Sequence, residues 1–150
     1  MFLDPTDESA GVLLSRGIAG PFLMLNLLRL RPWADYTDYP QHAPNQPISG
    51  RAAYDLYVDH TLPFLTATGG SVSLLADGGR YFVGPSNERW DVAMVIRQAS
   101  IEDFLAFAGN PAYLAGVCHR SAAVEDSRLL PLVERAATAR GTQVATHVIG

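Results

Sequence analysis

Lysine is absent from the sequence, because all 11 basic residues are arginine. This absence excludes enzymes that form a Schiff base on lysine, cofactors anchored through lysine, and phosphate-binding loops that require one. Cysteine is almost absent as well, since Cys118 is the only one. One thiol forms neither an internal disulfide nor a cysteine zinc cage, and it is typical of a reducing compartment. We therefore expect a cytoplasmic protein.

Net positive charge and long hydrophobic runs are also missing. The 11 basic residues face 15 acidic ones, which gives a formal net charge of −4. Without a basic cluster, nucleic acid and anionic membrane surfaces are not expected as partners. The longest apolar patch, residues 22–30, is interrupted by Asn26 and Arg29 and is too short to span a bilayer. The first residues show no basic start of a signal peptide.

The familiar catalytic motifs are absent from the sequence. It contains no nucleophile elbow, no dinucleotide-binding glycine pattern, no zinc-protease helix motif and no calcium loop. The four histidines, His42, His60, His119 and His147, are far apart and show no short metal-ligand spacing. We therefore expect neither a metal ion nor a cofactor.

The composition is typical of one globular domain: 150 residues, of which 48% are hydrophobic and 17% charged. We expect a core over about residues 20–133 and a tail at 134–150, where residues 144–149 have strand propensity. The predicted elements are a helix at 4–16, a strand at 22–30, a proline-rich loop at 31–50, a helix at 50–68, strands at 71–76, 80–83 and 90–98 with a turn at 77–79, helices within 100–123, and a strand at 127–133.

The order of these elements predicts an α+β fold. After the first helix, the order strand–helix–strand–strand–helix–strand is that of the ferredoxin-like fold, which has one antiparallel sheet with two helices on one face. Residues 22–30 and 90–98 are apolar on both sides, however, and the helices cover only one face of the sheet. We therefore expect a homodimer in which two sheets pack face to face.

Several short motifs, in order, carry a family resemblance. They are Asn26-Leu27-Leu28-Arg29-Leu30-Arg31, Ser49-Gly50 with Tyr54 and Tyr57, Gly69-Gly70, Trp90-Asp91, Asn110-Pro111-Ala112-Tyr113, His119-Arg120 and Asp126-Ser127-Arg128-Leu129. Over residues 22–133 the chain resembles the domain of unknown function 1330 family. The resemblance implies the dimeric α+β barrel superfamily, whose members include cofactor-free monooxygenases, muconolactone-isomerase-like proteins and haem-degrading proteins. It implies a fold rather than a reaction.

The candidate binding residues on the first long strand and helix are Asn26, Arg29, Tyr54 and Tyr57. Asn26 shares its side of the strand with apolar residues, so it either bonds to nearby backbone or serves a cavity between sheet and helices. Arg29 either pairs with acids at the strand end or holds a substrate carboxylate. Tyr54 and Tyr57 lie on the apolar helix stripe as core residues with tethered hydroxyls, or Tyr54 acts in catalysis and Tyr57 in binding.

Four further candidates are His60, Trp90, His119 and Arg120. His60, beside Asp59, is either solvated or a base. Trp90 packs in the dimer interface or forms a wall of the pocket. His119 is a candidate acid or base, because its ordinary pKa suits neutral pH. Arg120 is a candidate anion anchor, and the structural alternative for both is compensation of the helix dipole with an ion pair to nearby acids.

Three functions stay open at this point. The first is a cofactor-free enzyme, oxygenase- or isomerase-like, acting on a small, partly apolar oxygenated metabolite. The second is a non-catalytic module for small-molecule binding or interaction, and the third is a haem-binding protein. Convergence of Asn26, Tyr54, His119 and Arg120 on one pocket favours the enzyme. The loop at 31–50 is expected to cover the pocket mouth.

Overall fold

The computed structural model describes residues 1–135. Their elements, in chain order, are α1 (Asp7–Ser15), β1 (Phe22–Leu30), a 3-10 turn (Pro40–His42), α2 (Gly50–Ala67), β2 (Ser71–Arg80), β3 (Arg89–Gln98), α3 (Ile101–Ala108), α4 (Pro111–Leu114), α5 (Val117–Ala123) and β4 (Val124–Leu132). The strand propensity noted at 144–149 falls outside the described residues. No helix within residues 1–135 is long and apolar enough to cross a membrane.

The four strands form one antiparallel sheet in the order β2-β3-β1-β4. This is the strand order of a ferredoxin-like fold, and the predicted fold class is confirmed. The predicted first helix is also present, although it begins three residues later than expected. Side chains cap three of the helices: Thr6 accepts from the Ser9 N–H, Ser49 from the Ala52 N–H and Ser100 from the Asp103 N–H.

The predicted hairpin turn at residues 77–79 is wrong. β2 continues through these residues, with Asp77 paired to Val92 and Gly79 to Trp90, and the chain turns instead at residues 81–88. Gly78 lies within this long strand, where the backbone of β3 comes close to it. A Cβ at Gly78 would overlap the carbonyl oxygen of Trp90. An Asp-Gly pair is a strong hairpin signal, but the ladder with the ten-residue β3 extends beyond it.

The helical region at 112–123 is not continuous, because it breaks at Ala115-Gly116 between α4 and α5. The break coincides with a close approach between backbone and side chain. A Cβ at Gly116 would overlap the ring of His60. The chain therefore needs glycine at the point where α5 begins.

The two faces of the sheet have different environments. On β1 the side chains of Phe22, Met24, Asn26, Leu28 and Leu30 are buried on the face toward the helices, and the alternate residues are half-buried.

The opposite face carries an apolar row across all four strands. Leu74 pairs with Val95, Val95 with Leu25, and Leu25 with Leu130. The outer members of the row are well exposed, Leu74 by 50% and Leu130 by 53%.

Candidate functional site

A cavity of about 320 Å³ lies between the sheet and the helices. Its volume falls at the lower end of the range for small-molecule sites, about 300–1,000 Å³. The walls are mainly apolar and aromatic, with residues such as Met24 and Met94 on the sheet side and Phe104 and Phe107 on α3. The polar side chains of the walls are few: Asp4, Asn26, Tyr54, Tyr57, Thr61, Gln98, Tyr113 and Arg120.

Asn26 lies on the sheet side of this cavity, as strand alternation predicts. It is 8% exposed, and its amide nitrogen donates to the carbonyl oxygens of Met24 at 3.0 Å and Met94 at 3.4 Å. Both amide hydrogens are therefore committed to backbone, in agreement with the structural alternative. The oxygen of the amide is the atom of Asn26 left to accept from a ligand.

Three tyrosines form a cluster on the helix side of the cavity. The Tyr57 and Tyr113 hydroxyls form a hydrogen bond of 2.8 Å, and the Tyr54 and Tyr57 rings lie 5.5 Å apart. Burial raises the pKa of Tyr54 and of Tyr113 far above the ordinary value, and the neighbouring Tyr57 adds to the rise. Tyr54 and Tyr113 are therefore neutral phenols at neutral pH and act as hydrogen-bonding groups, not as bases.

Arg120 lines the cavity, but its guanidinium binds protein groups. One nitrogen donates to the Leu3 carbonyl oxygen at 2.8 Å and another to Ser127 Oγ at 3.3 Å. The suggested ion pair of Arg120 with Glu125 or Asp126 is absent from the described residues. Instead of serving a carboxylate, Arg120 holds the N-terminal segment, which is defined here as residues 1–5, against the body of the domain.

Thr61 and Gln98 are cavity residues that the sequence analysis missed. Thr61 is 8% exposed and Gln98 2% exposed, and neither Thr61 Oγ1 nor Gln98 Oε1 has a hydrogen-bond partner within residues 1–135. An unpartnered buried polar atom costs about 1–3 kcal/mol. Helix spacing could have identified Thr61, which lies four residues after Tyr57 on the apolar stripe, and strand alternation could have identified Gln98 from Met94.

Arg29 and Trp90 lie outside the cavity. Arg29 Nε pairs with Glu125 at 3.0 Å, which agrees with the ion-pair alternative. Trp90 is 6% exposed and donates from Nε1 to the Tyr81 hydroxyl at 2.7 Å. The guanidiniums of Arg29 and Arg128 lie 6.0 and 5.0 Å from the Trp90 ring. These residues stabilise one end of the sheet rather than bind in the cavity.

His60 also lies outside the cavity, where it fixes two helices together. Its Nε2 donates to the carbonyl oxygens of Ala112 at 2.8 Å and Tyr113 at 3.2 Å. The ring is half-buried against Gly116. A catalytic role for His60 in the cavity is therefore not supported by its position, because its ring is used to hold α4 against α2.

His119 is directed away from the cavity, toward the loop at 31–50. Its Nδ1 forms a 2.7 Å hydrogen bond with the Tyr36 hydroxyl, and the ring of His42 lies 6.4 Å away. Burial lowers the pKa of His119, and the charges of His42 and His60 lower it further. The expected convergence is thus incomplete: Asn26, Tyr54 and Arg120 line one cavity, and His119 does not.

No protein-family model and no curated protein matches the sequence. Two crystal structures of RPA0582, a protein of unknown function from Rhodopseudomonas palustris, are similar to it. The methylated form is 34% identical, with 90% of this chain and 96% of that chain covered and a TM-score of 0.79. The other form is 34% identical, with 89% and 97% covered and a TM-score of 0.78. This chain belongs to the RPA0582 family.

Two more distant structures resemble the RPA0582 family member. One is a dimeric ferredoxin-like protein from Bacteroides fragilis, 12% identical, with 76% of this chain and 96% of that chain covered and a TM-score of 0.46. The other is SnoaB, a cofactor-independent oxygenase from Streptomyces nogalater, 11% identical, with 81% and 99% covered and a TM-score of 0.47. At this level of similarity neither one decides the function of this chain.

The prediction that the loop at 31–50 covers the mouth of the cavity is wrong. Residues 31–50 do not line the cavity. The loop packs on α5 instead, because the Arg31 N–H donates to Ala123 and the Asp35 N–H to Ala122. The N-terminal segment lines the cavity in its place, with Leu3, Asp4 and Pro5 at the wall.

The N-terminal segment is fixed by a short set of hydrogen bonds to β4. The Ser127 N–H donates to the Phe2 carbonyl oxygen at 2.9 Å, and the Phe2 N–H donates to Asp126 Oδ1 at 2.8 Å. Together with the bond from Arg120 to Leu3, these contacts close one side of the cavity. The sequence analysis did not predict this, since it assigned residues 1–3 to no element and residues 4–5 to the first helix, which begins at Asp7.

The chemistry available at the cavity follows from its side chains. Within residues 1–135 its walls include no histidine, cysteine or glutamate, and Asp4 is exposed. Within the same residues no group of three metal-ligating side chains is close enough to hold a metal ion. Apart from the exposed Asp4 and from Arg120, whose guanidinium is bonded to Leu3 and Ser127, the site offers neutral hydrogen-bonding groups on apolar walls. This arrangement suits an uncharged ligand.

Proposed function

We propose that this protein binds a small, uncharged and largely apolar molecule in the cavity between sheet and helices. The observation that carries the proposal is the cavity itself, because its walls are apolar and aromatic with a few polar groups directed from different elements. Such walls are the common pattern of small-molecule sites. The binding function therefore takes precedence over the catalytic one.

The charge states of the side chains at the cavity support an uncharged ligand. Arg120 uses two of its five N–H donors on the Leu3 carbonyl oxygen and Ser127 Oγ, so its guanidinium is held by groups of the protein itself. The tyrosines stay neutral because burial raises the pKa of Tyr54 and Tyr113. Burying an unpaired charge among these groups would be costly.

A cofactor-free enzyme acting on the same ligand is the second candidate. Its supporting observation is that Tyr54, a neutral phenol, lines the same cavity as Asn26, since a neutral phenol can donate a hydrogen bond to a developing oxyanion. It lacks the histidine base that the sequence suggested, because His119 lies elsewhere. The haem-binding alternative loses support for a similar reason: none of the histidines within residues 1–135 lines the cavity.

A homodimer through the second sheet face is part of the same proposal. The apolar row of Leu74, Val95, Leu25 and Leu130 gives each copy a continuous surface for sheet-to-sheet packing. The resemblance to the domain of unknown function 1330 family rests on the sequence motifs, and the ferredoxin-like topology supports it at the level of the fold alone. A cytoplasmic location stays a prediction.

Sedimentation tests the dimer. The doubly substituted Leu74→Glu/Leu130→Glu protein should sediment as a monomer at micromolar concentration, where the native protein sediments at twice the chain mass. Both side chains are exposed, so the chain should still fold. Leu56→Glu, at a helix position that is 41% exposed, is the matched control and should stay dimeric. A native protein that sediments as a monomer would refute the dimer.

Ligand binding tests the main proposal, with propylbenzene as the neutral probe and 4-propylbenzoate as the charged one. A ligand present at 100 times its Kd stabilises the folded state by about 2.7 kcal/mol, which raises the Tm by about 5–10 °C for a chain of this size. We expect propylbenzene to stabilise the protein and 4-propylbenzoate to bind at least tenfold more weakly.

A pair of variants on α3 shows where the probe binds. Ala108 lines the cavity, so Ala108→Phe should fill it and abolish propylbenzene binding. Ala106 is exposed on the same helix, and Ala106→Phe should bind as the native protein does. If propylbenzene does not bind, or if both variants bind it equally, the cavity is not the site.

A further inference from the structure

We propose that Thr61 and Gln98 recognise a hydroxyl group of the ligand, so that the ligand is a neutral alcohol or phenol. This inference rests on the proposed function of the cavity and specifies the chemical class that it takes. Thr61 stands on the helix wall in α2, and Gln98 stands on the sheet wall at the end of β3. Both residues line the same cavity.

Two independent features single out this pair. Both side chains are more than nine-tenths buried, Thr61 at 8% and Gln98 at 2% exposure. In addition, Thr61 Oγ1 and Gln98 Oε1 are without hydrogen-bond partners within residues 1–135. Buried polar atoms are nearly always paired, so two unpartnered oxygens on one cavity point to a group that the ligand supplies.

The two residues belong to the same end of the cavity. Leu65 follows Thr61 by one helical turn, and Arg97 precedes Gln98 on β3. These neighbours meet at Gly70, where a Cβ would overlap Leu65 and lie 3.1 Å from the Arg97 carbonyl oxygen. The C-terminal half of α2 and the end of β3 therefore come together here.

This end of the cavity is separate from Asn26. Gln98 lies four residues along β3 from Met94, the residue paired with Asn26, which corresponds to about 13 Å of strand. The intervening wall includes Ile96, and α3 contributes Phe104 and Phe107. The geometry thus fits a ligand with an apolar body and a hydroxyl at one end.

The donor and acceptor pattern selects a hydroxyl over other groups. An amide oxygen such as Gln98 Oε1 only accepts hydrogen bonds, whereas the threonine hydroxyl both donates and accepts. A ligand hydroxyl can donate to Gln98 and accept from Thr61. An ether, a ketone or a carboxylate has no hydrogen to donate to Gln98 Oε1, so each of them would leave that oxygen unpartnered.

Matched probes test the inference: 4-propylphenol carries the hydroxyl, propylbenzene lacks it, and 4-propylanisole replaces its hydrogen with methyl. Calorimetric titration of the native protein should give a Kd for 4-propylphenol at least tenfold lower than for the other two, a difference of about 1.4 kcal/mol. Thr61→Val keeps the shape of the side chain and should reduce this preference to threefold or less, and Gln98→Leu should do the same.

Two controls keep the test specific to the hydroxyl. Thr61→Ser retains the donor and should retain the preference for 4-propylphenol. Thr66→Val makes the same substitution at an exposed position of α2 and should bind like the native protein. All four variants should still bind propylbenzene, which shows that the cavity is intact.

The outcomes separate the two proposals. Equal binding of 4-propylphenol and propylbenzene would overturn the hydroxyl recognition and leave the apolar binding function standing. A preference for 4-propylphenol that survives both Thr61→Val and Gln98→Leu would also overturn it, because the hydroxyl would then bind elsewhere. Failure of every probe to bind the native protein would overturn the proposed function together with this inference.

Discussion

Replacing Arg120 with methionine removes the guanidinium while retaining an unbranched, apolar side chain. The structure gives Arg120 two bonds, to the Leu3 carbonyl oxygen at 2.8 Å and to Ser127 Oγ at 3.3 Å. A hydrogen bond that involves a charged group contributes about 1.5–3 kcal/mol, and the longer bond contributes less. We therefore expect Arg120→Met to lower the free energy of unfolding by about 2 kcal/mol.

Thermal unfolding measures this loss directly. For a chain of about this length, 2 kcal/mol corresponds to a fall in Tm of about 4–8 °C. The protein concentration must be held constant, since the Tm of a dimer depends on it. Arg80→Met, at an exposed arginine, is the matched control and should change the Tm by less than about 2 °C.

Hydrogen exchange shows whether the loss comes from the N-terminal segment. The Ser127 N–H donates to the Phe2 carbonyl oxygen, so release of this segment in Arg120→Met should speed exchange of the Ser127 amide. The opposite result would refute the reasoning: a Tm within 1 °C of native, unchanged Ser127 exchange and a tenfold weaker affinity for 4-propylbenzoate. Arg120 would then be an anion-binding residue.

Three further experiments test other parts of the structure. Gly116→Ala should destabilise the fold by about 1–3 kcal/mol in chemical denaturation, because the new methyl overlaps His60; a neutral effect would show that the approach is not tight. The lowered pKa of His119 means that the unfolded chain binds more protons, so stability should fall as pH drops below about 6.5. The slope of Tm against pH should flatten in His119→Gln, and an unchanged slope would assign it to other groups. A double-mutant cycle with Tyr57→Phe and Tyr113→Phe should give a coupling of about 0.5–1.5 kcal/mol, and a coupling near zero would show that the hydroxyl bond does not persist in solution.

The sheet and the long helix were predictable because their signals are local and repeated. β1 occupies residues 22–30 as expected, and its alternating burial follows from the period of two along a strand. α2 begins at residue 50, as predicted. The positions of Asn26 and Tyr54 at the cavity were predictable for the same reason, since strand alternation and helix spacing decide which side of an element a residue faces.

The errors arose where contacts between distant residues override a local signal. The Asp77-Gly78 pair is a turn signal in isolation, yet pairing with β3 holds it in an extended strand. His60 looked like a free base beside Asp59, but its ring reaches Ala112, which is 52 residues away. Sequence spacing carries no information about such contacts, so the role of a histidine was harder to predict than the position of a strand.

The choice between a binding function and a catalytic one also depends on the difference between local signals and contacts between distant residues. Placement on a face was enough to bring Asn26, Tyr54 and Arg120 to one cavity, but a reaction also needs a group that exchanges protons near neutral pH. Within residues 1–135 that group is not in the cavity: His119 bonds to Tyr36 under the loop, and the buried Tyr54 holds its proton. What the cavity does present is unpartnered oxygen on Thr61 and Gln98, and such atoms recognise a ligand without transforming it. If turnover of a bound phenol were nevertheless observed, the base would have to come from the ligand itself, from Asp4 at the wall or from outside the described residues.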